Sequence, residues 1–86
     1  MKGGIPAITG DYLIELLEFD GWKIQGRSTH GVTLKKFFNG RNNVTTVPTK
    51  IGSIPDGTLG SILSVKQTCL GKPGLVKLIE RYNDKM

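Results

Sequence analysis

The chain has 86 residues, a net charge of +5, one cysteine and one histidine. This length favours a single domain over residues 1–86 and leaves no room for a second catalytic lobe. A lone cysteine excludes an internal disulfide and the cysteine clusters that structural zinc sites need. The sequence contains no run of 18 apolar residues and no long apolar core of a signal peptide, so we expect a cytoplasmic protein that does not enter a membrane.

Positive charge is concentrated in the middle of the chain. Residues 21–50 contain six cationic side chains and no carboxylate: Lys23, Arg27, Lys35, Lys36, Arg41 and Lys50. Such a segment creates a local field that attracts phosphates, which predicts a nucleic-acid partner. The alternative interpretation is a solvated surface that only keeps the protein in solution.

The first predicted element is a helix that begins after Thr9, a residue suited to capping the helix N-terminus. Three leucines recur at the spacing of one helical face: Leu13, Leu16 and Leu17. The pair Asp20-Gly21 is expected to end the helix. Its acidic residues point away from the leucines, and a solvated helix face is the preferred interpretation over a carboxylate metal site.

Three strands follow in the predicted order. Apolar and polar residues alternate, or β-branched residues cluster, in the segments 22–25, 32–38 and 44–47. Residues 26–31 are expected to form a polar loop, and Asn39-Gly40 is a strong signal for a tight turn. The third strand stops at Pro48, which cannot donate to a sheet ladder. Adjacent strands joined in this way predict an antiparallel meander.

Two helices complete the predicted fold. Pro55-Asp56 opens one, and residues 71–74 are expected to break the chain before a short amphipathic helix. The order α-β-β-β-α-α predicts an α+β fold: a three-stranded antiparallel sheet with helices on one face, a core over about 8–68, and a C-terminal helical extension over about 72–84. Strand alternation then sends Lys23 and Lys35 to the open face of the sheet.

The candidate catalytic residue is His30, whose ordinary pKa lies near neutrality and which stands in the loop between the first two strands. Arg27 beside it can hold a phosphate, and Ser28 and Thr29 can donate to phosphate oxygens. A solvent-exposed bystander is the alternative for a lone loop histidine. The predicted RNA-binding residues are Lys23, Arg27, Ser28, Thr29, Lys35 and Lys36.

This set of side chains favours cleavage of RNA. RNA carries its own nucleophile, the 2′-hydroxyl, so cleavage needs a base and cations but no metal. Phosphate-binding glycine loops and His-Glu-x-x-His are absent, and no carboxylate falls in the basic block, so we predict neither a cofactor nor a metal. DNA should resist this route. Because the chain has a single imidazole and a two-histidine division of base and acid is not available, we expect a modest turnover rate.

Three segments of the chain carry a resemblance to one known family. Residues 8–22 combine Ile-Thr-Gly, a leucine-rich helix and a Gly-Trp turn. Ser28-Thr29-His30 stands before a hydrophobic strand, and residues 44–48, which end in Val-Pro, are followed at 55–63 by the pattern Pro-x-Gly-Thr-Leu-x-x-Ile-Leu. In this order they resemble the opening helix, the Gly-Ser-His or Ser-Thr-His loop, and the later strand and helix of the HicA (YcfA-like) family of messenger-RNA interferase toxins.

The resemblance implies a double-stranded-RNA-binding-domain-like fold, a catalytic histidine at His30, messenger RNA as substrate and a HicB-type antitoxin as partner. The chain departs from Gly-Ser-His-His, a form common in the family, because Ser28, Thr29 and Gly31 replace the glycine, the serine and the second histidine. Two other functions stay open: a non-catalytic RNA-binding module, and an adaptor that docks on an acidic partner.

Overall fold

A computed structural model describes residues 8–29, 31–49 and 52–84. Along the chain the elements are α1 (Gly10–Phe19), β1 (Lys23–Ser28), β2 (Gly31–Phe38), β3 (Arg41–Val47), α2 (Asp56–Ile62) and α3 (Gly71–Asp84). This succession confirms the predicted α-β-β-β-α-α order and the α+β class. None of the helices in the described ranges is both long enough and apolar enough to cross a bilayer.

Helix α1 begins and ends where the sequence predicts. The Thr9 hydroxyl oxygen accepts a hydrogen bond from the Tyr12 amide at 3.1 Å, which satisfies one of the free N–H groups of the first turn. The three leucines of its apolar face are fully buried. Asp20 caps the C-terminus, and Gly21 follows with φ +106, a conformation that side chains strongly disfavour.

The three strands form one antiparallel sheet in the order β1-β2-β3. Asn39 (φ 54) and Gly40 (φ 78) form the tight turn between β2 and β3, as their sequence predicts. Strand β3 begins at Arg41, three residues earlier than expected, because the turn is tight enough for Phe38 and Arg41 to pair.

The predicted polar loop over residues 26–31 is wrong for most of its length. Strand β1 continues to Ser28, with Arg27 paired to Val32 and Ser28 paired to Gly31. The register shifts between Ile24 and Gly26, where Gln25 is the extra residue of a bulge. A polar, glycine-containing stretch stays in the sheet because β1 is an edge strand, whose outer side faces solvent.

The two faces of the sheet differ sharply in burial. Val32, Leu34 and Val47 are buried on one face, where they join the helices in a single hydrophobic core. On the opposite face, Lys35 is only half-buried and Phe37 is 67% exposed. The helices therefore cover one face and leave the other open, as predicted.

Helix α3 corrects the interpretation of the C-terminal region. Residues 71–74 do not break the chain, since the helix begins at Gly71 and takes Pro73 into its first turn, where the missing N–H is tolerated. Leu75 and Leu78 are fully buried in the common core. The helix thus completes the core and is more than an extension of it.

A polar and aromatic contact also joins α3 to α1. The Tyr82 hydroxyl donates to the Glu15 carboxylate at 2.6 Å, and its ring meets those of Tyr12 and Phe19 edge to face. Glu15 is therefore engaged in packing two helices together.

Candidate nucleic-acid interface

Two lysines face each other across the open face of the sheet. Lys23 on β1 and Lys35 on β2 are Cα partners, so their side chains leave the same face side by side. Within residues 8–29, 31–49 and 52–84, neither ammonium group has an ion pair. No Asp or Glu occurs in residues 21–50, which include all three strands. Like charges placed opposite each other repel, so this pair favours a bound anion.

A shallow depression of about 210 Å³ surrounds the lysine pair. Its lining combines cationic, aromatic and amide side chains: Gly21, Lys23, Gln25, Lys35, Lys36, Phe37 and Asn42. Ammonium groups bind phosphates, an exposed aromatic ring stacks on bases, and amides can both donate to and accept from base edges. We call this feature the basic depression.

A larger groove of about 380 Å³ lies between β3 and α2. It is lined by apolar, hydroxyl and amide residues: Val44, Thr45, Thr46, Thr58, Ser61, Ile62 and Gln67. Its inner wall is held by the Thr45 hydroxyl, which donates to the Gln67 side-chain oxygen at 2.6 Å. Because none of the described residues that line the groove carries a charged side chain, the smaller basic depression is the better candidate for a phosphate-bearing ligand.

A second polar group lies at the far end of the β1-β2 hairpin. Arg27, Ser28 and Thr29 are all exposed there. Because Arg27 pairs with Val32, its side chain leaves the face opposite to that of Lys23. At the rise of a strand, Ser28 lies about 15 Å along β1 from Lys23. Five of the six predicted RNA-binding residues therefore form two groups, the lysine pair and the hairpin end.

The predicted catalytic residue, His30, lies outside the described residues. Its neighbour Gly31 is buried, with φ +144. A Cβ atom built on Gly31 would overlap the backbone carbonyl oxygen of Val47. This position therefore requires glycine, and the second histidine of Gly-Ser-His-His cannot be accommodated here.

Lys36 stands apart from the other predicted RNA-binding residues. Its ammonium group donates to the Asp20 backbone oxygen at 2.7 Å and to the Asp20 carboxylate at 3.1 Å. It also lies 5.5 Å from the centre of the Phe38 ring. A cation at the C-terminal end of α1 is favourable because it meets the negative end of the helix dipole. The charge of Lys36 is thus used to fasten α1 to β2, although Lys36 is also one of the residues that line the basic depression.

The residues predicted from the sequence to bind RNA leave out four that line the basic depression: Gly21, Gln25, Phe37 and Asn42. The signal for Phe37 was present, since it stands two residues after Lys35 on a strand and so shares its face. Asn42 is the Cα partner of Phe37 and follows from that register. Gln25 stands two residues after Lys23 on β1, so the same alternation indicates that it shares the face of Lys23.

No group of three His, Cys, Asp or Glu side chains in the described parts of the chain could hold a metal ion. None of the known family models, curated proteins or solved structures matches the chain.

Proposed function

We propose that this protein is an RNA-cleaving toxin of the HicA type, which cuts messenger RNA without a metal and uses His30 as its general acid and base. The observation that carries the proposal is the facing pair Lys23 and Lys35 on an open sheet face whose strands contain no carboxylate. That arrangement suits a polyanion that lies across the sheet.

The chemistry follows from the substrate. A base removes the proton of a ribose 2′-hydroxyl, whose oxygen attacks the adjacent phosphorus. The new bond from the 2′-oxygen to phosphorus forms as the bond to the 5′-oxygen breaks, and an acid returns a proton to that 5′-oxygen. The products are a 2′,3′-cyclic phosphate and a 5′-hydroxyl. Arg27 is suited to stabilising the dianionic phosphorane, since a guanidinium can bind two phosphate oxygens at once.

The position of His30 in the sequence supports this role. Its chain neighbours Thr29 and Gly31 lie at the end of the β1-β2 hairpin, where Arg27 and Ser28 are exposed. The end of a hairpin that a rigid sheet holds in place is a common position for catalytic side chains. The first five elements follow the order expected of the HicA family and of double-stranded-RNA-binding-domain-like folds, and α3 is added to them.

A HicB-type antitoxin is the proposed partner, and its surface should carry negative charge toward the lysine pair. Association should then slow as salt is added, because charges at the interface steer the encounter. An association rate that stays constant from low to high ionic strength would contradict this part of the proposal.

The second candidate function is a non-catalytic RNA-binding module that uses the same face. The single histidine of the chain favours it, because a two-histidine division of acid and base is not available. Both functions require the lysine pair to bind RNA, and only the cleaving toxin requires His30 as an acid and base.

The test is growth after induced expression of the wild-type chain, of His30→Ala and of Lys66→Ala, with total messenger RNA followed over time. Lys66 is an exposed cation outside the sheet and serves as the matched control. We expect growth arrest and loss of messenger RNA with the wild type and with Lys66→Ala, and neither with His30→Ala. Equal effects of the wild type and His30→Ala at equal protein levels would favour the binding module.

A further inference from the structure

We infer that the basic depression is a subsite for one unstacked base of single-stranded RNA, which stacks on Phe37 while Lys23 and Lys35 hold the flanking phosphates. The inference rests on the proposed function for its ligand class, RNA, but it does not depend on cleavage. It adds the form of RNA that this face selects and a residue that determines the selection.

The exposure of Phe37 is the first argument. Its side chain is 67% exposed on the same face as Lys35, whereas the next aromatic residue, Phe38, turns to the helix-covered face and packs against Trp22. A large ring left in water on the open face of a sheet offers a stacking surface to any base. Sheet-borne aromatic rings serve single-stranded RNA in this way.

Charge and polarity around the ring form the second argument. Lys35 lies two residues before Phe37 on β2, and Lys23 lies directly across from Lys35. Asn42 is the cross-strand partner of Phe37, and the bulged Gln25 completes the lining. A base on the ring would thus have the cations of Lys23 and Lys35 on one side for its phosphates, and the Asn42 amide across the strand on the other side for its edge.

Single-stranded and double-stranded RNA differ in whether a base can reach the ring of Phe37. In a duplex the bases are stacked and paired inside the helix, so none can reach the ring of Phe37. A single strand can turn one base out at a smaller cost in free energy than a duplex, because no base pair has to be broken. The subsite should therefore distinguish single-stranded from double-stranded RNA of the same sequence.

The test measures the affinity of the full chain for a fluorescein-labelled single-stranded RNA hexamer by fluorescence anisotropy at low salt. The 2′-hydroxyls of the hexamer are methylated, so the proposed cleavage cannot proceed. The variants are Phe37→Ala, which removes the ring, and Phe37→Tyr, which keeps it. Val65→Ala is the matched control, because Val65 is an equally exposed apolar residue (70%) outside the sheet.

We expect Phe37→Ala to weaken binding by about 5- to 150-fold, the range for loss of one base–aromatic stack. Phe37→Tyr and Val65→Ala should stay within about twofold of the wild type, since neither loses the stack. A duplex of the same sequence should not respond to Phe37→Ala. Replacing Lys23 or Lys35 by Gln should reduce the slope of log affinity against log salt by about 0.7, the value for one phosphate contact on a single strand.

Two failures can be told apart. If the single strand binds but Phe37→Ala leaves its affinity unchanged, the subsite is wrong and the proposed function is unaffected. If no single-stranded RNA binds the wild-type chain even at low salt, both the subsite and the proposed function are overturned. A protein partner would then be the favoured ligand of the open face.

Discussion

Replacement of Gly31 by Ala should destabilise the protein more than any other glycine-to-alanine change in the sheet. At φ +144 a residue with a Cβ is strained by about 1–3 kcal/mol. The new Cβ would also overlap the Val47 carbonyl oxygen, and relief of such overpacking costs a further ~1–3 kcal/mol. The expected loss is therefore about 2–6 kcal/mol, against a total stability of about 4–13 kcal/mol for a chain of this size.

The assay is urea unfolding followed by the fluorescence of Trp22, the single tryptophan of the chain, which is buried beside Phe38. Two glycines provide matched controls. The new Cβ of Gly26→Ala would lie in open space, and the φ of Gly26 is not in the left-handed region. This change should alter the free energy of unfolding by less than about 1 kcal/mol. Gly40→Ala also meets open space but at φ +78, and should cost about 1–2 kcal/mol.

Unfolding of Gly31→Ala at the same urea concentration as Gly26→Ala would contradict this prediction. That result would mean that the β2-β3 pairing can move aside, and that a second histidine could stand after His30 as it does in many HicA toxins. The expected ranking, with Gly31→Ala least stable and Gly40→Ala in between, would show that the backbone fixes glycine at this position.

The remaining predictions concern the helices. Thr9→Ala should lower the free energy of unfolding by about 1 kcal/mol, because the Tyr12 amide loses its acceptor, and Thr9→Ser should recover most of it in the same urea titration. Leu78→Ala should cost about 2.7–5 kcal/mol, since it leaves a cavity in the core, whereas a loss below ~1 kcal/mol would mean that α3 is only loosely attached. Donation to the Glu15 carboxylate stabilises the neutral phenol and raises the pKa of Tyr82 above its ordinary value of 10.0. This contact therefore contributes stability that is present below about pH 10 and lost as the pH rises through the folded-state pKa. Tyr82→Phe should show less of this alkaline destabilisation in pH-dependent thermal melts, and equal slopes in the two proteins would contradict the assignment.

Local signals predicted the parts of the fold that local interactions determine. A capping threonine, three leucines at helical spacing and Asp20-Gly21 were enough to place α1. Asn39-Gly40 placed the β2-β3 turn, because both residues adopt positive φ, which few other residue pairs accept.

Two segments that look like chain breaks in the sequence are parts of regular elements in the structure. The stretch around Gly26 and Arg27 looks like a loop by composition, and only its pairing with β2 keeps it in a strand. Pro73 similarly looks like a helix breaker, but in a first turn it has no hydrogen bond to lose. In β1, tertiary pairing outweighs local propensity, whereas the first-turn position of Pro73 agrees with the local preference of proline.

The same distinction holds at the candidate site. Alternation along the strands predicted that Lys23 and Lys35 share the open face, and the register confirms it. The contact between Lys36 and Asp20 joins residues 16 positions apart, so the neutralisation of this lysine required knowledge of where α1 ends relative to β2.

The most direct test of the central claim is cleavage of an end-labelled single-stranded RNA by the purified chain in excess EDTA, beside DNA of the same sequence. The account predicts that the RNA is cut to products with a 2′,3′-cyclic phosphate, that the DNA stays intact, and that His30→Ala abolishes cleavage while still binding the RNA. Cleavage that requires a divalent metal, that extends to the DNA, or that survives His30→Ala would contradict it.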